Sequence, residues 1–244
     1  MNQKEALQQA RIDLAAALRW AEKLGLNEGV CNHFSLQVPG TEDQFLLNPQ
    51  GLHWSEVKAS DILVVDPEGN IIEGKWTVEP TAFFIHSKIH KSIPSAKCVL
   101  HTHMPYATTL CALNDGQLKW VNQNALRFYR QVAYEEHYNG LVLDDEEGVR
   151  IAQQLVGKKI LFLANHGVIV TGPDVARAFD DLYYLERAAM IQVLAQSTRE
   201  DLKYIPDYIC RLAYKQIEAE SQQSYLHFEA IKRMLKYESP EFIK

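Results

Sequence analysis

The sequence predicts an α/β fold in which helices cover a mixed or antiparallel sheet. Three observations predict it. Several short apolar runs of strand length lie between segments of helical spacing. Many of the connections are tight enough for antiparallel neighbours. The chain has 244 residues and is 47% hydrophobic, enough for one large domain with a sizeable core. Residues 1–244 therefore read as a single domain, without internal repeat, low-complexity segment or linker.

The elements follow in order. Leu7, Ala10, Leu14, Ala17, Leu18 and Ala21 recur at helical spacing over 3–24, and Gly25 is placed to stop that helix. A Gly-led turn at Gly29 runs into a strand from Phe34 to Val38, and Pro39-Gly40 is a turn. Phe45-Leu46-Leu47 is a short strand ending at Asn48-Pro49-Gln50-Gly51. Ile62 to Asp66 is a strong strand, joined by Pro67-Glu68-Gly69-Asn70 to Ile71-Ile72-Glu73 as a hairpin. Pro80 opens a helix over 81–91 with Phe84, Ile85 and Ile89 as its buried face. A strand over 96–102 precedes a helix that begins at Pro105. Asp144 and Glu147 have capping-box spacing, so the acidic run 144–147 reads as a helix start rather than a metal cluster. Strands at 160–164 and 168–170 flank Asn165-His166-Gly167, with Gly167 supplying the turn. Pro173-Asp174 opens a helix to about 196. Pro206 precedes one last helix to about 236, packed on this domain or on a neighbouring subunit.

Two of these stretches carry chemistry. His101-Thr102-His103 ends a strand, and alternate residues of a strand share a face. His101 and His103 therefore project together, as two-thirds of a three-histidine site for a divalent metal. The tripeptide alone is better explained by two half-buried histidines at a strand end. His166, at a turn between buried strands, is able to reach a neighbouring strand end and supplies the third ligand.

Composition excludes other classes. A net charge of −6 with no Lys/Arg block argues against nucleic acid as a partner. No apolar run approaches the roughly 18 residues that span a bilayer, and the N-terminus lacks a signal-peptide core. Cys31, Cys98, Cys111 and Cys210 form no Cys-x-x-Cys pair, so buried free thiols and a cytoplasmic location are expected. Cys98 lies three residues before His101 and faces the other way.

Taken as a series, Gly29…Asn32-His33-Phe34-Ser35, Asn48-Pro49-Gln50-Gly51, Pro80-Thr81-Ala82…His86, His101-Thr102-His103 and Asn165-His166-Gly167 resembles the class II aldolase/adducin head family over about residues 5–200. The resemblance implies a three-layer α/β/α sandwich around a mostly antiparallel sheet. It also implies a homo-oligomer, most often a tetramer with sites between subunits. His101, His103 and His166 match the family's metal ligands; the ion implied is zinc, with manganese or another divalent ion in some branches. The family's sugar-phosphate aldolases carry an acid/base glutamate where this chain has Ala82. Their phosphate-holding pairs fall at Asn32-His33, Gln50-Gly51 and Pro80-Thr81, where the usual donors are largely gone. That version looks more like the adducin-type branch, and the superfamily also contains metal-dependent decarboxylases.

The expected activity is therefore metal-dependent lysis of a carbon–carbon bond in a small non-phosphorylated hydroxy- or keto-carboxylate. Decarboxylation comes before aldol cleavage, because it needs no base to start. The alternative is a non-catalytic, adducin-like interaction domain. Tyr138, His137 and His33 are candidate proton carriers. Glu79 substitutes for the missing glutamate if its loop is shifted. Asn32, Gln50, Gly51 and Thr81 are candidate substrate contacts. His33 is as well explained by a structural hydrogen bond. His86 and His90, four apart on a helix, are read as solvent-facing or as supports behind the ligands. His53-Trp54 reads as packing or a lid.

Overall fold

The structure is a computed structural model that describes residues 2–244; Met1, included in the single domain read from the sequence, lies outside the described residues. Helix α1 (Gln3–Lys23) is capped by Asn2 and closed by Gly25 at φ +68, a left-handed conformation that glycine adopts without a Cβ clash. The strands are β1 (His33–Gln37), β2 (Phe45–Leu47), β3 (Leu63–Val65), β4 (Ile71–Glu73), β5 (Cys98–Thr102), β6 (Val132–Glu135), β7 (Ile160–Leu163) and β8 (Gly167–Gly172). The remaining helices are α2 (Pro80–Ser92), α3 (Pro105–Cys111), α4 (Asp145–Gln154), α5 (Val175–Ser197), α6 (Asp207–Ala219) and α7 (Gln222–Glu238).

The strands form one sheet in the order β4-β3-β2-β1-β5-β8-β7-β6. Every pairing is antiparallel except β6 with β7, which α4 connects as a crossover. Alternation divides the core between two faces. Leu100, Phe162 and Val170 join α1, α3, α5 and α7 on one side. Val99, Leu161 and Ile169 join Ile85 and Ile89 of α2 and Ile151 of α4 on the other. The result is the three-layer sandwich.

Several readings needed correction. The last helix is two, broken at Glu220-Ser221; α7 packs on α1 and α5 of its own chain. Strand β6 has no counterpart in the sequence reading. Its three half-buried residues and edge position give it neither a clean alternation nor an apolar run. Cys31 is exposed, and only Cys98, Cys111 and Cys210 are buried. Asp144 caps α4 by accepting from the Glu147 amide, as its spacing indicated. Trp54 is fully buried against Phe34, which makes it packing rather than a lid.

The second helical layer is tight. A Cβ on Gly148 of α4 would come within 2.4 Å of the Phe84 carbonyl of α2, the helix that carries His86 and His90. Gly148→Val should force α4 off α2 and cost about 1–3 kcal/mol of stability by urea denaturation, the usual penalty of overpacking. An unchanged midpoint would show that the layer has slack.

Candidate metal centre

The site sits at the end of β5, where three histidines converge. His101, on the α2 face of β5, is paired directly across from His33 of β1. His103 lies just past the strand, and His166 occupies the turn between β7 and β8. One ring nitrogen from each of His101, His103 and His166 lies within 4.8 Å of the others. The rings are mutually edge-on, with centroids 4.8–5.0 Å apart.

The turn is built differently from expectation. Asn165, not Gly167, takes the left-handed backbone, at φ 55. Gly167 matters for a different reason. A Cβ there would lie 2.6 Å from the Thr102 carbonyl and 2.7 Å from the His103 ring, so its absence lets the two segments close.

The histidines are oriented by their outer nitrogens. His101 Nδ1 lies 3.0 Å from the Val168 carbonyl, which accepts only, so Nδ1 carries the proton. His103 Nδ1 contacts the Glu28 carboxylate, which fixes its proton likewise. His101 Nε2, which carries a lone pair, and His103 Nε2 then face each other at 3.2 Å. That separation calls for a proton or a metal cation between the two nitrogens. Two imidazoles at ~2.0–2.1 Å from a tetrahedral ion would stand about 3.3 Å apart, so the donor set fits a divalent metal. Burial, then the neighbouring imidazoles, holds His101 well below the ordinary histidine range and His166 at about 4. Both are neutral, ligand-ready bases at neutral pH.

Glu28 was missed by the sequence reading. It lies 75 residues from His103 in a Gly-led turn, and nothing local marks it. Asn32 ties that turn to the site. In a left-handed conformation (φ 72), its Oδ1 accepts from the Glu28 amide at 3.0 Å and the His103 amide at 3.4 Å. Its Nδ2 is buried without a partner.

The other candidates divide. His33 is buried beside His101, ring centroids 4.8 Å apart, with its Nδ1 2.7 Å from His86. His86 is fully buried, which excludes the solvent-facing reading, and His90 is half-buried behind it. Burial also pushes His33 down to about 3 and His90 to about 4. Tyr138 is 52% exposed, with its ring 6.3 Å from that of His166 in the same chain. His137 is exposed. Glu79 is the N-cap of α2: its carboxylate accepts from the Ala82 amide at 2.7 Å and from the Thr81 hydroxyl. Ala82 is fully buried. Gln50 is exposed and bonds to Thr77 through both backbone and side chain. Gly51 is a turn residue at φ +79.

The chain matches the Class II Aldolase and Adducin N-terminal domain over residues 12–193. Rat alpha-adducin is 36% identical over 187 residues, 75% of this chain but 25% of the adducin. Decarboxylase NovR of Streptomyces niveus is 30% identical, covering 83% of this chain and 75% of its own. An aldolase II superfamily protein from Pseudomonas syringae superposes with a TM-score of 0.91 at 31% identity, over 98% of this chain and 96% of that one. L-fuculose 1-phosphate aldolase from Glaciozyma antarctica superposes at 0.88 and 26% identity, over 100% and 95%.

Two outcomes follow. His166→Ala should lower Zn²⁺ affinity by at least about 100-fold in calorimetric titration while the fold persists, and Glu28→Gln by about 10–100-fold. Full affinity in either variant would contradict the site. The buried neutral histidines also make a pH statement. Unfolded histidines take up protons below about 6.5, whereas His33, His90 and His166 resist until about 3 to 4. Their contribution is complete above pH 6.5 and is lost as pH falls toward 4. Metal-free protein should melt at least about 5 °C lower at pH 5 than at pH 7; an equal melting temperature would contradict the neutral cluster.

Proposed function

The chain belongs to the Class II Aldolase and Adducin N-terminal domain family, and from that premise we propose that it is a divalent-metal-dependent carbon–carbon lyase. Its substrate is a small, non-phosphorylated hydroxy- or keto-carboxylate, with decarboxylation favoured over aldol cleavage. The observation that carries this is the opposed Nε2 pair of His101 and His103, completed by His166. An assembly module has no use for three imidazoles converging on one point. Zinc suits an all-imidazole set best, with manganese or another divalent ion next.

A divalent ion held there supplies Lewis acidity, taking up negative charge that develops on a substrate oxygen. The chain's residues do the rest. Asn32 Nδ2 is an uncommitted donor for a carboxylate or carbonyl oxygen. His33 offers a ring nitrogen beside His101. Loss of CO₂ leaves an electron pair that must receive a proton, and Tyr138, whose ring lies 6.3 Å from that of His166, is the proposed donor. Glu79 is withdrawn from that task by capping α2, and Ala82 carries no proton. A route that needs no carboxylate base is therefore preferred, consistent with a relative named as a decarboxylase.

The same geometry argues against sugar phosphates, although a similar fold is named for one. The Thr81 hydroxyl donates to Glu79 and the Gln50 backbone amide donates to the Thr77 carbonyl. Exposed Leu141, Leu143, Tyr208 and Leu212 support burial in a homo-oligomer, with a tetramer as the proposed state. Among the described residues no helix is long and apolar enough to cross a membrane; the three buried thiols suit the proposed cytoplasmic location. The second reading is an adducin-like interaction domain, favoured by Ala82 and by the likeness to alpha-adducin.

A panel of hydroxy- and keto-acids, assayed for CO₂ and aldehyde with zinc-loaded and chelator-treated protein, separates the readings. Metal-dependent release from at least one member is expected, with Tyr138→Phe about 10²–10⁴-fold slower at unchanged metal content. Ala82→Glu should give no gain in CO₂ release. Turnover of a ketose 1-phosphate would overturn the substrate class, and a fully metallated protein inert on the whole panel would favour the interaction domain.

A further inference from the structure

Behind the three-histidine site runs a second line of polar groups that the proposed chemistry does not use directly. It starts at His33 on β1 and crosses the α2 face of the sheet. His33 Nδ1 lies 2.7 Å from His86 Nε2, and His86 Nδ1 lies 2.6 Å from Ser35 Oγ. Ser35 Oγ lies 2.7 Å from His90 Nε2, and His90 Nδ1 lies 3.0 Å from the Ala96 carbonyl. The sequence explains the spacing. His33 and Ser35 share a strand face, and His86 and His90 lie one turn apart on the helix that covers it.

One end of this line fixes the rest. The Ala96 carbonyl accepts only, so His90 Nδ1 donates and, in a neutral ring, His90 Nε2 accepts. Ser35 must then give its single proton to His90 and accept from His86 Nδ1. His86 Nε2 is left as an acceptor, which requires His33 Nδ1 to donate. The remaining nitrogen, His33 Nε2, carries a lone pair and has no partner among the described residues. Reversing any link would put two donors or two lone pairs against each other. Among the described residues no carboxylate joins the line to support an imidazolium.

We propose that Ser35, His86 and His90 are positioning residues that lock His33 as its Nδ1–H tautomer, so that the site demands a hydroxyl donor at His33 Nε2 and selects hydroxy-carboxylates over keto-carboxylates. The proposal rests on the lyase reading for its substrate and sharpens it. Asn32 Nδ2, buried and unpartnered, is a donor; His33 Nε2 is an acceptor one residue away. A hydroxy-acid answers both, its hydroxyl donating to His33 and a carboxylate oxygen accepting from Asn32. A keto-acid has only acceptors and sets its carbonyl lone pairs against the His33 lone pair. A buried polar group left unmatched in this way discriminates by tenfold or more.

The test has two arms. In metal-free protein, ¹⁵N spectra of the histidine rings should show His33, His86 and His90 each as a single Nδ1–H tautomer. Ser35→Ala, which removes only the hydroxyl, should leave His101 unchanged and return His33 and His86 to a tautomer mixture. In zinc-loaded protein, lactate should bind at least about tenfold tighter than pyruvate, and Ser35→Ala should reduce that ratio to within about threefold. A wild-type His33 protonated at Nε2 overturns the proposal, as does an undiminished lactate preference in Ser35→Ala. With zinc bound, equal binding of the two acids, or of neither, overturns the selectivity. Failure of zinc itself to bind would sink the lyase reading, while the tautomer spectra would still decide the lock.

Discussion

The antiparallel register of β1 against β5 is the constraint on which the site depends. Pairing His33 with His101 and Ser35 with Val99 turns both histidines and the serine toward α2. Phe34 and Leu100 are turned into the opposite core. Strand alternation makes this all-or-none: a slip of one residue would present Phe34 and Leu100 to the site and bury the imidazoles among the leucines of α1 and α5. The core therefore specifies the site, because the apolar partners of each strand allow one register only.

Around that pair, the other components are brought in by close approach rather than by sequence proximity. The missing Cβ of Gly167 admits the His166 turn against His103. The Asn32 side chain bonds the loop that carries Glu28 to the His103 amide. Six buried or half-buried imidazoles, those of His33, His86, His90, His101, His103 and His166, then crowd together around β5. Burial holds His33, His86, His90, His101 and His166 neutral and costs the fold stability in acid, since the unfolded chain protonates them first. In return the site presents unprotonated nitrogens at neutral pH. A metal and a neutral hydrogen-bond acceptor both need that state.

The legible and illegible parts of the site separate along the same physical line. Period-2 alternation made His101 and His103 readable as a pair, and a turn between apolar runs made His166 readable as their partner. Glu28, Ser35 and the buried state of His86 were not readable, because each acquires meaning only from the strand register and from α2 lying across it. Asn165 and Gly167 show the same limit in miniature. The turn was visible, but which residue takes the left-handed backbone and which makes room is decided by His103, far away in sequence. The fold class and most elements followed from apolar spacing and from Pro and Gly punctuation. Strand β6 and the α6–α7 break did not, the first an edge strand without clean alternation and the second an interruption at Glu220-Ser221 with neither Gly nor Pro to mark it. Ala82 and Glu79 are a different case. The sequence showed the loss of a carboxylate, and the structure shows where the nearby one goes, to the N-terminus of α2.

The central claim is that three imidazoles converge on a single divalent ion. Anomalous diffraction from crystals grown with zinc tests it most directly. The account predicts one strong peak per chain within roughly 2.0–2.3 Å of a ring nitrogen of each of His101, His103 and His166, with Glu28 still on His103. A peak elsewhere, or none at full zinc occupancy of the solution, would contradict it.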